Sequence, residues 1–453
     1  MWQEVLERFE QQAPVGVMAR VALEQALPAG WIDEVFDASR QRQYPRELQM
    51  STIVELMLLV TLGLRPSLHA AARKMPHLPV SLAALYDKVN RSEPGVMRAL
   101  VQGSAQRLGE VMEAAVAPQP SLPGWQLRIL DGNHLPASEK RLKPLREHRG
   151  AALPGHTLVV YDPDRALVVD IVACEDAHQS EQKGTLELLA TAQPQQLWIG
   201  DRNFCTGALL RGWHDAGASF LVREHASSHP RLLKEQPWQA AGRCESGELQ
   251  QQTIEIEGAP PWRRIRLTLD QPTDSGDTHI TLWTNLPEEV TAKQIAQLYR
   301  KRWRIEGLFG RLESVLDSEL RTLGHPRAAL LGFATAVLAY NVLALLQRCI
   351  EEAQREFVPE LEVSTYHLAV HVASDYQGML IALAPKTWES WPQAAPEYVA
   401  RYLLTLARRV PARSVATSKR GPKKDKPKGY VDAALVRKHV STARVLRDQK
   451  KTP

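Results

Sequence analysis

The 453-residue sequence lacks several features that would place it in a special class. Its four cysteines lie far apart with no C-x-x-C pair, which argues against a disulfide framework or cysteine zinc site and predicts a reducing cytoplasm. The first residues, MWQEVLERFEQQAP, have neither the basic start nor the apolar run of a signal peptide. With 44% apolar and 24% charged residues, the composition is that of an ordinary soluble protein of two or three domains.

Long hydrophobic runs are also scarce. One run, residues 328–346, has the length of a membrane span. It is rich in alanine and carries Thr335, Tyr340 and Asn341 near its middle. Buried helices of soluble proteins are apolar all round as well. We therefore predict a core helix and no membrane contact, with a membrane helix as the alternative.

A large excess of one charge is missing, since the net charge is only +5. That value hides an asymmetry, because residues 408–453 contain 15 Lys/Arg and 3 Asp/Glu on an otherwise mildly acidic chain. A basic tail predicts an anionic partner, and nucleic acid is the first candidate. Lys423 and Lys424, within this tail, are predicted to bind DNA.

The N-terminal part, residues 1–116, has the apolar spacing of helices. Two short helices within residues 67–91 resemble a helix-turn-helix, which would read DNA through its second helix. Short helix pairs also occur in any helical domain. We predict a helical domain that is a candidate for DNA binding.

Strand patterns replace helical ones after a linker at 117–124. A strand ending in Asp131 precedes a hairpin that turns at residues 162–164, and a helix, a strand ending in Asp201, a helix and a strand follow. Hairpin strands followed by β-α-β units predict an α/β fold: a mixed sheet with helices against it, in ribonuclease-H-like order.

The predicted core is interrupted by a second strand-rich segment. Residues 224–290 contain alternating apolar and polar segments separated by turn residues, which predicts a β-rich insertion. The catalytic core is then divided between 117–223 and 291–350. A helical C-terminal region, 351–407, and the basic tail, 408–453, complete the predicted domains.

Two aspartates at strand ends and one glutamate on a helix form the candidate site. Asp131 and Asp201 each close a strand, where polar side chains of open sheets meet ligands. Glu306 lies on a helix among basic and aromatic residues. Three such carboxylates could hold two Mg²⁺ ions for a phosphodiester displacement. The alternatives are a turn or capping aspartate and a solvated ion pair of the glutamate.

Local motifs support the catalytic interpretation. DGNH begins at Asp131, DRNF at Asp201, and Y-x-x-R-x-x-x-E joins Tyr299, Arg302 and Glu306; TNLP (284–287), RWRIE (302–306) and AYN (339–341) follow in order. Together they resemble the insertion sequence 4 family of bacterial DDE transposases over about residues 125–350. The tyrosine-arginine-glutamate signature is the most specific of these motifs.

The resemblance implies a function and a set of partners. Asp131, Asp201 and Glu306 would be catalytic ligands of two Mg²⁺ ions, with Mn²⁺ as a substitute. The protein would cut double-stranded DNA at the ends of its own element and join them to target DNA. Handling both ends together implies a homodimer on DNA, in the cytoplasm at the bacterial nucleoid.

The helical spacing is consistent with this signature. At 100° per residue, Tyr299, Arg302, Glu306 and Glu313 fall on one face about 60° wide. Arg302 would contact a phosphate and Tyr299 would pack beside it. Lys301 and Arg304 are predicted to contact DNA as well.

Two positions depart from the family pattern. Glu313 stands where the family carries lysine, and it could orient a cation toward a phosphate or be a solvated side chain. The family tryptophan that stacks on a flipped base corresponds to Ile280, while Trp283 would point to the opposite face of its strand. The hairpin route of donor release is therefore in doubt.

Two other functions fit the same residues. A related nuclease or resolvase would cleave strands without joining them. A transposase descendant retained as a DNA-binding protein would neither cleave nor join.

Overall fold

A computed structural model describes residues 2–43, 47–75, 77–139, 142–143, 145, 151–227, 229–273, 276–318, 320 and 322–418. Met1–Ala416 form one compact unit and Thr417–Pro453 a separate one. Lys423 and Lys424 lie outside the described residues, so their contact with DNA stays a prediction.

The N-terminal region is helical. Proline at the first helical position begins the second and seventh helices, and Ser67 and Ser81 cap the fifth and sixth by accepting bonds from Ala70 N and Ala84 N (both 3.2 Å). The helices are α1 (Trp2–Gln12), α2 (Pro14–Ala26), α3 (Ala29–Ser39), α4 (Met50–Thr61), α5 (Leu68–Lys74), α6 (Leu82–Val89) and α7 (Pro94–Ala115).

Five strands and two helices follow the linker. They are β1 (Gln126–His134), β2 (His156–Asp162), β3 (Leu167–Cys174), α8 (Glu181–Leu189), β4 (Gln196–Gly200), α9 (Gly207–Asp215) and β5 (Ser219–Arg223). The sheet order is β3-β2-β1-β4-β5, antiparallel from β3 to β1 and parallel from β1 to β5. This mixed sheet has the ribonuclease-H-like order that the sequence predicts.

Apolar side chains at alternating strand positions pack into two different cores, one on each face of the sheet. Leu127 and Ile129 face the large core shared with α7, and Leu130 and Trp198 face a second core under α8 and α9. The hairpin between β2 and β3 turns where predicted, because Asp162 Oδ1 accepts bonds from the Asp164 and Arg165 amides at 3.0 and 3.1 Å.

The strand-rich insertion continues the same sheet. Its strands are β6 (Leu232–Glu235), β7 (Gln239–Cys244), β8 (Gly247–Ile256), β9 (Trp262–Leu269) and β10 (His279–Thr284). β10 pairs antiparallel with β5, and the order continues as β10-β9-β8-β6, with β7 also on β8. The result is a ten-stranded mixed sheet rather than a sheet of five strands with a detached insertion.

The chain after the sheet is helical. Its elements are α10 (Ala292–Arg300), a 3₁₀ turn (Lys301–Trp303), α11 (Arg304–Val315), α12 (Pro326–Gln354), α13 (Thr365–Ala382), α14 (Pro396–Ala407) and α15 (Ala412–Val415). Within the described chain, α12 alone is long and apolar enough to cross a membrane, but its apolar window is 100% buried inside the protein. This burial is that of a core helix.

The asparagine of the AYN motif joins α12 to the edge strand β3. Asn341 is fully buried, its Oδ1 accepts a bond from Val168 N (2.9 Å), and its Nδ2 donates to Val168 O (2.8 Å). The pairing of β3 with β2 shifts register at this point. Asn341 therefore supplies the bonds that a further strand would otherwise make.

Replacing this side chain should destabilise the fold. We expect Asn341→Leu to lower the free energy of unfolding by about 2–4 kcal/mol, because two buried backbone groups lose their partners. Urea denaturation measures this. Gln347→Leu is the control. It also removes a side-chain amide from α12, but the bond of this amide to Glu351 is only partly buried. Equal losses in the two variants would contradict the role of Asn341.

Candidate active site

Asp131 lies where the central strand β1 leaves the core. Ile129 and Leu130 are fully buried, whereas Asp131 is half-buried. Its Oδ1 accepts a bond from the Gly132 amide at 2.9 Å. The carboxylate is thereby fixed at the edge of the sheet, with Oδ2 directed to another partner.

Asp201 reaches the same level of the sheet from the neighbouring strand. β1 and β4 are parallel, and Gln126 pairs with Gln196, 70 positions later, with the same offset through Ile129 and Ile199. Extending this offset places Asp201 level with Asp131. Its Oδ1 accepts a bond from Asn203 N (2.8 Å) and caps a 3₁₀ turn at 202–204. Asp201 is thus a capping residue, and the cap also fixes its orientation.

Arg302 joins the first and third carboxylates. Its Nη1 donates to Asp131 Oδ2 and its Nη2 to Glu306 Oε1, both at 3.2 Å. The Arg302 side chain is 10% exposed and that of Glu306 is 48% exposed. The structure therefore joins Asp131 and Glu306 through one buried guanidinium, and Asp201 is close enough for its charge to act on Asp131.

The helix expected to carry this signature is interrupted. Tyr299 lies in the last turn of α10, and Arg302 lies in the 3₁₀ turn. Glu306 and Glu313 lie in α11. The helical-angle prediction assumed one continuous helix and is wrong in that respect, although Arg302 and Glu306 keep the four-residue contact. The tighter turn changes the angle between successive side chains and leaves Tyr299 buried.

Burial and neighbouring charges both act on the first carboxylate of the site. Burial raises the pKa of Asp131 to about 6; Arg302 opposes this increase, while Asp201 and Glu181 add to it. Burial also raises the pKa of the neighbouring Tyr299 to about 12. One guanidinium thus neutralises the cluster only in part, and hard oxygen donors in such a cluster suit a divalent cation.

This part of the sequence is similar to a known family. Residues 125–342, just under half of the chain, match the family model described as Transposase DDE domain. The segment is thus similar to the domains of DDE transposases. It contains Asp131, Asp201, Glu306 and Asn341. No curated protein matches the chain.

Similarity to this family implies a dependence on divalent cations. Among the residues that the structure describes, no group of three Asp, Glu, His or Cys side chains has the arrangement of a metal site. Arg302 lies between Asp131 and Glu306 instead. Carboxylate oxygens are nevertheless the donors that the implied cations, Mg²⁺ and Mn²⁺, take from proteins.

The raised pKa of Asp131 predicts a pH-dependent stability. Unfolded aspartate titrates near 3.8 and folded Asp131 near 6, so the folded state binds the proton more tightly and loses stability as pH rises through this window. Asp131→Asn has no charge to bury. Without divalent cations, we expect it to exceed the wild type in stability by about 1–3 kcal/mol at about pH 7.5.

Urea unfolding at two pH values tests this expectation. The gain should shrink to about 0.5 kcal/mol at about pH 4, where folded Asp131 is protonated and the unfolded carboxyl is only partly ionised. An equal gain at both pH values would show that packing, rather than the buried charge, is responsible.

Lys301 and Arg304, both predicted to contact DNA, contact the β2–β3 hairpin instead. Lys301 contacts Ser121 and lies 3.9 Å from Asp164. Arg304 Nη1 donates to Pro163 O at 3.1 Å. Tyr299 and Arg302 are buried. Their contacts with DNA stay predictions.

The two positions that depart from the family pattern have different surroundings. Trp283 is fully buried and donates from Nε1 to Glu224 Oε2 at 2.5 Å. It belongs to the core under α8 and α9, whereas Ile280 packs against the other core, so the two face opposite sides of β10 as predicted. Glu313 is exposed, and the described part of the chain gives it no hydrogen bond or ion pair.

Two further residues, which the sequence did not single out, adjoin the site. Glu181 in the first turn of α8 contacts Gly132, next to Asp131. Trp303 is 59% exposed, and the Arg302 guanidinium lies over its ring at 4.6 Å. An acidic residue in a first helical turn is ordinary, so Glu181 carried no signal. An aromatic beside the signature arginine was a signal for Trp303.

Proposed function

We propose that the protein is a DNA transposase of the insertion sequence 4 family that cuts at its element ends and joins them to target DNA. One observation carries the proposal: a single buried arginine, Arg302, contacts both Asp131 and Glu306 within a DDE domain. Asp201 completes the set from the neighbouring parallel strand.

The triad side chains are prepared for cation binding by their local bonds. Asp131 and Asp201 each hold one oxygen on a backbone amide, which orients the second oxygen. Arg302 keeps Asp131 and Glu306 together despite their like charges. Two Mg²⁺ ions, or Mn²⁺, held by these carboxylates would activate water and stabilise the leaving oxygen.

The proposed reaction consists of two displacements at one site. Water attacks a phosphorus at the element end, a P–O bond breaks, and the 3′-oxygen leaves as a hydroxyl. That 3′-hydroxyl then attacks a target phosphorus, and the target's 3′-oxygen leaves. We propose that a homodimer in the cytoplasm brings the two ends together on double-stranded DNA.

A donor plasmid carrying the DNA that flanks this reading frame tests the proposal. Purified protein, incubated with Mg²⁺ or Mn²⁺, should produce breaks at inverted repeats on both sides and a product joined to a second plasmid. Breaks without a joined product would identify a nuclease or resolvase. Specific binding without breaks in either cation would identify a DNA-binding descendant.

The basic tail should increase affinity for DNA through its charge. Residues 408–416 belong to the compact unit, since Val410 and Val415 are buried and Ala416 pairs with Val363. Residues 417–453 contain 12 Lys/Arg and 3 Asp/Glu. Truncation after Ala416 therefore removes positive charge and spares the packed residues.

This truncation should reduce the salt dependence of DNA binding. We expect the slope of log affinity against log salt to flatten by about 0.9 for each phosphate that the tail neutralises in the full-length protein. Fluorescence anisotropy with one duplex at several salt concentrations measures the slope, and circular dichroism confirms folding. An unchanged slope for the folded truncation would exclude a DNA-binding role of the tail.

A further inference from the structure

Glu181 occupies the space that a side chain on Gly132, the residue after Asp131, would fill. A Cβ atom added to Gly132 would overlap Glu181 Oε1 and lie 2.6 Å from its Cδ. The Gly132 amide donates to Asp131 Oδ1 at 2.9 Å. The carboxylates of Asp131 and Glu181 therefore both contact the residue that follows the catalytic aspartate.

The helix that carries Glu181 packs on strand β2 and is bonded to the turn that follows β4. Gly184 lets α8 approach the sheet, since a Cβ there would lie 2.9 Å from Leu158 Cδ1. Gln182 Nε2 donates to Asn203 O at 3.0 Å, and the Asn203 amide donates to Asp201 Oδ1. The first turn of α8 thus contacts the segments that carry Asp131 and Asp201.

We propose that Glu181 is a fourth carboxylate of this site and a ligand of one of its divalent cations. This inference rests on the proposed function, since it takes the Asp131–Asp201–Glu306 cluster as the cation site. Hard oxygen donors are what Mg²⁺ and Mn²⁺ take from proteins.

A structural role is the competing explanation for Glu181. His156 is buried, stacks on His134 with ring centroids 5.2 Å apart, and is electrostatically coupled to Glu181. Glu181 could serve only to balance charge at this histidine pair. In that case its loss would change stability and leave cation affinity unaltered.

Mn²⁺ titration of the full chain by calorimetry, without DNA, separates these roles. We expect Glu181→Gln to weaken Mn²⁺ binding by at least about tenfold, since a ligand to the cation is lost. Glu187→Gln is the matched control, because it makes the same change at an exposed position of α8. It should alter Mn²⁺ affinity less than about twofold.

Gly132→Ala is a second test that removes no carboxylate. Its methyl group would overlap the Glu181 carboxylate and displace this flexible side chain. We expect Mn²⁺ affinity to fall by at least about fivefold in this variant and no further change when Gly132→Ala is added to Glu181→Gln. Thermal unfolding checks that each variant is folded.

Asp131→Asn separates failure of this inference from failure of the proposed function. Weaker Mn²⁺ binding in Asp131→Asn with unchanged binding in Glu181→Gln and Gly132→Ala would overturn the role of Glu181 alone. Unchanged binding in all three variants would overturn the cation site itself. A loss of stability without a loss of Mn²⁺ affinity in Glu181→Gln would assign this residue to His156.

Discussion

Asp131→Asn, Asp201→Asn and Glu306→Gln are each expected to reduce DNA strand cleavage by at least about 10³-fold. Each substitution keeps the size of the side chain but removes the negative charge that a bound cation requires. Binding to element ends should stay within about twofold, because no phosphate-binding cation is removed. Cleavage in Mg²⁺ and an electrophoretic binding assay, with the same end duplex, measure the two effects.

Glu313→Gln is the control for the effect of Glu306→Gln on cleavage. It makes the same change on the same helix as Glu306→Gln, but Glu313 is exposed and about 10 Å further along the axis. We expect cleavage to fall only several-fold. Equal inactivity of the two variants, with intact binding, would require a triad that includes Glu313. Full cleavage by any triad variant in Mg²⁺ would falsify the assignment.

The common level of Asp131 and Asp201 could be predicted because strand patterning determines where these aspartates lie. Alternating and continuous apolar runs define β1 and β4, and parallel pairing with a constant offset places residues 70 apart at one level. Asp131 and Asp201 stand at that separation. Each aspartate accepts a bond from a neighbouring amide with one oxygen and has a second oxygen for another partner. A capping role and a catalytic role are therefore compatible at a strand end.

Other features depend on contacts between distant segments and carry no local signal. The sequence shows alternating strands in the insertion but not that β10 would pair with β5 and continue the sheet. Glu181 resembles an ordinary first-turn acid until α8 packs against Gly132. The 3₁₀ turn before α11 interrupts a stretch whose spacing fits one helix. Tertiary packing decides all three features.

Arg302 was predicted to contact a phosphate, and the structure adds a second role. Its planar guanidinium contacts Asp131 and Glu306 at the same time. Lysine carries the same charge but lacks this fork, so it cannot reproduce both bonds. Arg302 therefore stabilises the carboxylates while no cation neutralises them, and it competes with a cation for the same oxygens.

These two effects predict opposite changes in cation binding at low and high pH. Arg302 lowers the pKa of Asp131, so Arg302→Gln should raise this pKa above its value of about 6 and weaken Mn²⁺ binding near pH 6. At about pH 8.5 Asp131 is ionised in both proteins, and loss of the competing positive charge should tighten Mn²⁺ binding. Calorimetric titration at the two pH values measures this reversal.

Cleavage should fall even where Mn²⁺ binding is tighter. We expect Arg302→Gln to reduce cleavage by about 30-fold or more at both pH values, which is about 2 kcal/mol or more, because the fixed positions of Asp131 and Glu306 are lost. Arg302→Lys should show a smaller change in the pH dependence of Mn²⁺ binding, since it keeps the charge.

Arg300→Gln is the matched control, since Arg300 lies two residues away and pairs on the surface with Glu245. It should change both cleavage and Mn²⁺ affinity less than about twofold. Wild-type cleavage by Arg302→Gln would show that the contact with Asp131 and Glu306 has no part in the reaction. Tighter binding together with slower cleavage would instead show that positioning of the carboxylates, rather than cation affinity, limits the rate.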